Sequence, residues 1–165
     1  MKRVAMILVA ALAVMIPSSS WADSQYKVLV VAMPSKYHYE YIPVARDSLE
    51  RMAKLHAFEI TFATTGEALN QNLQPYAAVL LLNTPTEELT AAERANFESY
   101  MRGGGNAVVV HRAAIDLPAG GWVWYEKLVG RTVGTHPMLQ TGVVTVVDKN
   151  FPAAYGVPER WIWSD

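Results

Sequence analysis

Short, uninterrupted runs of apolar residues recur along the chain and predict strands that are covered on both faces. They occupy residues 26–33, 77–82 and 107–110. Such runs are typical of parallel sheets, whereas the alternating apolar and polar residues of 58–63 suit a strand nearer a sheet edge. A segment rich in valine and threonine at 141–147 predicts one further strand.

Two amphipathic segments between these runs predict helices. Pro43 suits a first helical turn, and apolar residues then recur at helical spacing over 45–53. Thr90 and Glu93 have the spacing of a capping box, in which the hydroxyl and the carboxylate each satisfy a backbone N–H at the helix start. The glycines at 103–105 supply the stop of this second helix.

This alternation of strands and helices predicts an α/β fold. Right-handed crossovers between buried strands give a mostly parallel sheet with helices on both faces, so we expect a doubly wound, flavodoxin-like three-layer sandwich. In such folds the segments that follow parallel strands meet at one rim, where ligands bind. The segments after the first, third and fourth predicted strands carry His38, Asn83 and His111, respectively. The sequence therefore points to a site at this rim.

The N-terminal segment has the pattern of a secretory signal peptide. Two basic residues open the chain, and residues 4–16 form an apolar stretch that is too short to span a bilayer. A small residue at position 22 suits cleavage. We therefore expect a signal peptide at 1–22, a domain at 23–165, and a periplasmic or secreted mature protein. An uncleaved membrane anchor is the alternative.

Composition and charge narrow the classes of partner. The chain is 52% hydrophobic and 18% charged, which suits a globular domain with a sizeable core. Its formal net charge is −1, and removal of residues 1–22 takes away two basic residues and no acid, which leaves −3. Without a cluster of lysine and arginine after residue 22, we expect no nucleic acid and no membrane surface as partner of the cleaved protein. The sequence has no cysteine, which excludes disulfides, a thiol nucleophile and lipid attachment at a lipobox.

Three histidines are candidates for chemistry. His111 ends an apolar strand, where its imidazole could act as a base, an acid or a metal ligand, although a purely structural hydrogen bond is the alternative. His38 lies near Glu40, which could orient an imidazole, but both residues also suit a solvated loop. His136 precedes Pro137 and is therefore in extended or turn backbone. Together the three could bind zinc, but their spacing lacks a pair on one helical turn, so a metal site stays open.

An aromatic cluster follows His111 in the sequence. Trp122, Trp124 and Tyr125 could stack on sugar rings and donate hydrogen bonds from their polar edges. The alternative is that they fill the core, and we expect this of at least one tryptophan. No Gly-x-Ser-x-Gly elbow or phosphate-binding glycine loop is present, since the glycines at 103–105 precede a strand rather than a helix.

At these residues the chain resembles the trehalose-utilisation (ThuA-like) family, whose fold is similar to that of class I glutamine amidotransferases. The match rests on several short motifs that occur in the family's order and spacing and together cover nearly all of 27–165. The matching segments are 37–43, 82–84, 102–111, 122–130, 136–137, 140–141 and 158–161.

The resemblance implies a role in carbohydrate utilisation, on trehalose-like disaccharides or on oxidised keto sugars. Amidotransferases of this fold use a cysteine nucleophile, so amide transfer is not expected from a chain without cysteine. Members of the family continue past the position of Asp165, and we therefore expect this chain to be C-terminally truncated.

Three functions remain open at this stage. The first is an exported sugar-processing enzyme in which His111 is catalytic and a neutral sugar or sugar derivative is bound by the other candidates. These substrate-binding candidates are His38, Glu40, Asn83, Trp122, Trp124, Tyr125 and His136. The second is a non-catalytic carbohydrate-binding domain that uses the tryptophans, and the third is a truncated, inactive family member. The sequence does not specify the reaction, a cofactor, a metal or the oligomeric state.

Overall fold

A central sheet of four parallel strands organises the chain. The structure, a computed structural model, describes residues 24–36, 39–115, 121–130 and 137–164, so the predicted signal peptide lies outside the described residues. The strands are β1 (Lys27–Val31), β2 (Glu59–Ala63), β3 (Ala78–Leu82) and β4 (Ala107–Val110). Their order in the sheet is β2-β1-β3-β4, which places the alternating segment 59–63 at an edge, as its pattern predicts.

The register of the sheet brings the strand ends level with one another. Val31 pairs with Ala63 on one side and with Leu81 on the other, and Leu82 pairs with Val110. Because all three pairings are parallel, the segments that follow β1, β3 and β4 leave the sheet at the same rim.

Within the described ranges, three α-helices accompany the strands. Helix α1 (Ile42–Leu55) has a proline in its first turn, and α2 (Ala91–Arg102) begins with the predicted capping box. In that box Thr90 Oγ1 accepts from the N–H of Glu93, and a Glu93 carboxylate oxygen accepts from the N–H of Thr90. The short helix α3 (Val123–Val129) ends at Gly130, whose φ of +77° favours glycine. None of the described helices is long and apolar enough to cross a bilayer.

Alternate residues of the strands pack into two separate cores. Odd-numbered positions, such as Leu29 and Leu81, face α2 and α3, where they join the buried Phe97. Even-numbered positions, such as Val30 and Leu80, pack against the apolar side of α1. The central strands β1 and β3 are thus covered on both faces, which explains their uninterrupted apolar runs and gives the flavodoxin-like α/β layout. The run at 107–110 forms the edge strand β4, where Val108 is 54% exposed, so the prediction that this strand is covered on both faces is wrong.

The strand predicted at 141–147 lies outside the central sheet. It is present as β5 (Thr141–Thr145), which pairs antiparallel with β6 (Arg160–Ser164), a strand that the sequence analysis did not predict. Threonine, arginine and serine end these strands, and Thr141 Oγ1 lies 2.8 Å from Ser164 Oγ. An antiparallel pair can leave side chains in water, and every residue of β5 is exposed.

Candidate functional site

Two polar residues occupy the carboxyl ends of adjacent strands. Asn83 directly follows β3, and His111 directly follows β4. Both have a φ of +59°, in the left-handed region that non-glycine residues seldom adopt. Backbone strain of this kind persists where the surrounding structure fixes it, and it concentrates at functional sites. These two residues therefore form the starting point of the candidate site.

The side chains of these residues meet in a hydrogen bond. His111 Nδ1 lies 2.6 Å from Asn83 Oδ1. Asn83 is fully buried, whereas His111 is exposed. On its other side, Asn83 Nδ2 donates to Ser35 Oγ at 3.1 Å and to the carbonyl oxygen of Met33 at 3.4 Å. One buried amide thus connects the segments after β1, β3 and β4 and holds an accessible imidazole at the rim.

Tyr41 completes the described surroundings of the imidazole. It ends the 3-10 turn Tyr39–Tyr41 at the start of α1, and its ring meets that of His111 edge-on, with centroids 5.7 Å apart and an interplanar angle of 80°. Its hydroxyl is buried and has no hydrogen-bond partner among the described residues. Burial raises the pKa of Tyr41 above its ordinary value, so the hydroxyl stays protonated near neutral pH.

The loop that follows Asn83 is tied to the sheet and to α2. Thr84 is buried, and its Oγ1 donates to the carbonyl oxygen of Val31 at 2.7 Å. Arg94 Nη2 donates to the carbonyl oxygen of Thr86 at 2.9 Å. Arg112, next to His111, forms an ion pair with Glu87. These bonds fix the backbone on both sides of the Asn83–His111 pair.

Other predicted candidates are not brought to the pair in the described structure. Glu40 lies in the 3-10 turn Tyr39–Tyr41, where it is exposed and hydrogen-bonds to no other described residue. His38 and His136 lie outside the described residues, and so does any zinc site that needs all three histidines. Within the described ranges, no three histidine and carboxylate side chains lie close enough together to hold a metal ion.

Two members of the aromatic cluster, Trp122 and Tyr125, are buried, as the alternative of a core role predicts. Trp122 is 7% exposed and Tyr125 is fully buried, and their rings stack on each other at 4.8 Å. Both rings also contact Phe97 of α2, and the Tyr125 hydroxyl donates to the carbonyl oxygen of Ala113. Since their faces are occupied by the core, Trp122 and Tyr125 cannot stack on a sugar in this arrangement.

Trp124 is partly exposed but points toward a different part of the molecule. Its ring packs on Phe97 and lies 5.7 Å from the guanidinium carbon of Arg102, in the last turn of α2. Helix α2 runs back from the rim to the start of β4. Its last turn therefore lies near the amino ends of the strands, whereas His111 lies at their carboxyl ends. Sequence proximity to His111 thus did not predict the position of this tryptophan.

Sequence reasoning missed Tyr41 as a member of the site. The available signal was its place in a run of tyrosines immediately before a helix that starts at the rim. Asn83 was predicted as a substrate contact, but its burial and its bond to His111 place it beneath the imidazole rather than on the surface.

Comparisons with known proteins agree with the fold. The family model described as ThuA, trehalose utilisation, matches residues 27–165. The solved structure of a ThuA-like protein from Bacteroides uniformis ATCC 8492 superposes with a TM-score of 0.74 at 23% identity, over 90% of this chain and 62% of that one. At this identity the superposition shows the fold alone, and the chain spans less than two thirds of that protein. No curated protein matches the chain significantly. On the strength of the family match, the chain belongs to the ThuA trehalose-utilisation family.

Proposed function

We propose that the chain is a carbohydrate-processing member of its family, with its site at the carboxyl rim of the sheet and His111 as the catalytic residue. The observation that carries this proposal is an exposed imidazole bonded to a buried amide, with both residues in left-handed backbone. An imidazole exchanges protons near neutral pH, and it suits acid–base chemistry on a sugar hydroxyl or on a carbon next to a keto group.

The proposed ligand is a neutral disaccharide or its keto derivative. The cation closest to His111 in sequence, Arg112, is already paired with Glu87, so its charge is not offered to a phosphate. The chain as a whole carries a small negative charge, which gives no long-range attraction for phosphorylated sugars. The buried Tyr41 hydroxyl is a protonated donor that a sugar oxygen could satisfy.

Substitution of His111 tests the proposal, with His56 as the matched control. His56 is also exposed, but it follows the end of α1, near the amino ends of the strands and away from the rim. Turnover and binding are measured on a panel of trehalose, its keto derivative and their phosphorylated counterparts. His111→Ala should reduce turnover by about 100-fold or more, while the free energy of unfolding changes by no more than about 1 kcal/mol. His56→Ala should change neither.

Two results would count against this function. In the first, His111→Ala retains turnover of the neutral sugars. In the second, only phosphorylated sugars are bound or converted.

A non-catalytic carbohydrate-binding role is the second candidate, because β6 carries an exposed tryptophan. Trp163 is 59% exposed and pairs across the strands with Gly142, where a side chain would meet open space. Gln140 and Thr141 line the same cavity, of about 310 Å³, and could hydrogen-bond a sugar. If the domain only binds carbohydrate, Trp163→Ala should abolish the binding of neutral sugars. If His111 is catalytic, the same variant should leave turnover unchanged.

Export remains part of the proposal. The support is the pattern of a basic start, an apolar stretch and a small residue at position 22. The mature protein is then periplasmic or secreted and no longer attached to a membrane. Intact-mass analysis of protein recovered from a bacterial periplasm should show the loss of about 22 residues, the length set by the signal pattern. Recovery of protein that still begins with Met1 would contradict it.

A further inference from the structure

The side-chain amide of Asn83 fits its surroundings in only one orientation. Its Nδ2 group faces the carbonyl oxygen of Met33, which can only accept a hydrogen bond, and the hydroxyl of Ser35. If the amide were flipped, its oxygen would face the Met33 oxygen, and two acceptors would be opposed in a buried place. The amide oxygen therefore points at His111.

This orientation of the amide determines which nitrogen of the neutral imidazole carries the proton. Asn83 Oδ1 carries no hydrogen and lies 2.6 Å from His111 Nδ1, so Nδ1 must supply the proton of the bond. In a neutral imidazole only one nitrogen is protonated, and the other holds a lone pair. In the neutral ring, Nε2 is then the nitrogen with the lone pair.

We propose that Asn83 is a positioning residue, which fixes His111 as the Nδ1–H tautomer and thereby makes Nε2 the nitrogen that accepts a proton from the ligand. The inference rests on the proposed function, since it assumes that His111 faces the ligand. It also adds a restriction to that function. The ligand group that meets Nε2 must be a proton donor, such as a sugar hydroxyl or a C–H next to a carbonyl, rather than a carbonyl or carboxylate oxygen.

The rest of the site holds the ring in place. Both residues have left-handed backbone, and the edge-on ring of Tyr41 packs against the imidazole. An amide also differs from a carboxylate, because it orients the ring without adding a negative charge that would favour the doubly protonated form.

Charged groups lie on the segments that leave the rim after β1, β3 and β4. Arg112 follows His111 and is paired with Glu87 from the loop after β3. Glu40 lies exposed before α1, and Lys36 follows β1. The amide of Asn83 is the direct partner of Nδ1, so its replacement should change the ring more than replacement of any of these groups.

Nuclear magnetic resonance of the full chain with ¹⁵N-labelled histidine reads the tautomer directly, without substrate. In the unsubstituted protein, the neutral His111 should show a protonated Nδ1 and an unprotonated Nε2. Asn83→Leu removes the acceptor and should move the neutral ring toward the Nε2–H tautomer. Asn83→Asp keeps the acceptor, adds charge, and should hold both ring protons to a pH about 1 unit higher or more.

Thr84→Val is the matched control. Thr84 is adjacent, equally buried and hydrogen-bonded, but its partner is the carbonyl oxygen of Val31. This variant should lose stability without changing the tautomer of His111. Leucine is strained in left-handed backbone, so if Asn83→Leu fails to fold, the aspartate variant and the unsubstituted protein still decide the question.

The inference is overturned if the neutral His111 of the unsubstituted protein carries its proton on Nε2, or if Asn83→Asp leaves the proton affinity of the ring unchanged. These results concern the ring alone. Retained turnover in His111→Ala would instead reject the proposed function, whichever tautomer is observed, so the two failures can be told apart.

Discussion

At the scale of single residues, the site combines strain with hydrogen bonding. Asparagine is among the few non-glycine residues that tolerate left-handed backbone, whereas histidine there costs more. Glycine would adopt the backbone conformation at position 111 without strain, but it would carry no imidazole. The backbone at His111 thus gives up some stability in order to place a particular side chain.

This trade-off predicts an order of stability among substitutions at position 111. His111→Gly should be more stable than His111→Ala by about 1 kcal/mol, because alanine keeps the strain of the +59° φ and glycine relieves it. Urea unfolding of both variants measures the difference. Equal stabilities would show that the backbone relaxes when the side chain is removed.

The Tyr41 hydroxyl bonds to no described residue, which predicts an unusual response to its removal. Tyr41→Phe should leave stability at pH 7 unchanged or raise it by about 1 kcal/mol, since no hydrogen bond to a described residue is lost. As the control, Tyr100→Phe should cost about 1 kcal/mol, because the buried Tyr100 hydroxyl donates to the Tyr76 carbonyl oxygen. A clear loss of stability in Tyr41→Phe without ligand would contradict this account.

Tyr41 should also contribute to loss of stability in alkali. Its folded-state pKa is raised, so the unfolded chain gives up the phenolic proton first as the pH increases. Stability is therefore unaffected below the ordinary pKa of about 10 and falls as the pH rises from there through the raised folded-state value. Between pH 7 and 11, the free energy of unfolding should decrease less steeply with pH for Tyr41→Phe than for the unsubstituted protein.

At the scale of elements, the start of α2 is fixed by contacts with the 3-10 helix Gly66–Asn70. A side chain at Gly66 would come within 2.5 Å of Leu89 Cδ2 and 2.8 Å of Glu93 Oε2. The second of these atoms also accepts from the N–H of Thr90 in the capping box. The close packing of the two elements and the cap of α2 therefore depend on the same glycine.

Gly66→Ala should accordingly destabilise the protein by about 1 to 3 kcal/mol through overpacking and displacement of the Glu93 carboxylate. Gly142→Ala is the control, because a side chain there meets open space, and it should change stability by less than about 0.5 kcal/mol. Chemical denaturation measures both. If the two variants behaved alike, Leu89 and Glu93 would have to move aside freely.

Local patterns predicted most of these elements because burial on both faces leaves a plain signal in the sequence. The capping box and the apolar runs needed no tertiary information. The strand β6 was missed, since its run Trp161-Ile162-Trp163 has no partner strand until β5 is placed beside it. Trp122 and Tyr125 were assigned to the rim because the sequence does not record that α3 packs onto Phe97.

The candidate site was predictable in position but not in its contacts. Parallel strands deliver Asn83 and His111 to one rim, and that follows from the pattern alone. The 2.6 Å bond between them, the burial of Asn83 and the approach of Tyr41 are tertiary contacts, which the pattern of apolar and polar residues does not indicate. For this reason Asn83 was expected at the ligand rather than behind the imidazole.

At the scale of the whole molecule, the two-layered core contrasts with the exposed pair of strands β5 and β6. Val143 is 57% exposed and its cross-strand partner Ile162 is 72% exposed. Adjacent exposed apolar side chains of this kind form a surface that hydrophobic dyes recognise.

The double variant Val143→Thr with Ile162→Thr should therefore reduce the fluorescence of a bound hydrophobic dye by at least about half, while the central sheet unfolds as before. Leu55→Thr is the control, since Leu55 is 77% exposed at the end of α1 and single exposed residues are ordinary. Unchanged dye fluorescence in the double variant would place the apolar surface elsewhere.

The hydrogen bonds from Met33 through Asn83 to His111 also bear on the order of events when the chain folds. They join segments that are 50 and 28 residues apart in sequence. Closing such separations costs chain entropy, which is recovered only when β4 has paired with β3. A nascent chain that has emerged only as far as residue 106 can form both long helices and three strands, yet it has no site. The Asn83–His111 pair thus forms only after β4 has docked. Under the proposed function, a substitution that slows this docking would reduce the yield of active molecules without altering the turnover of each one.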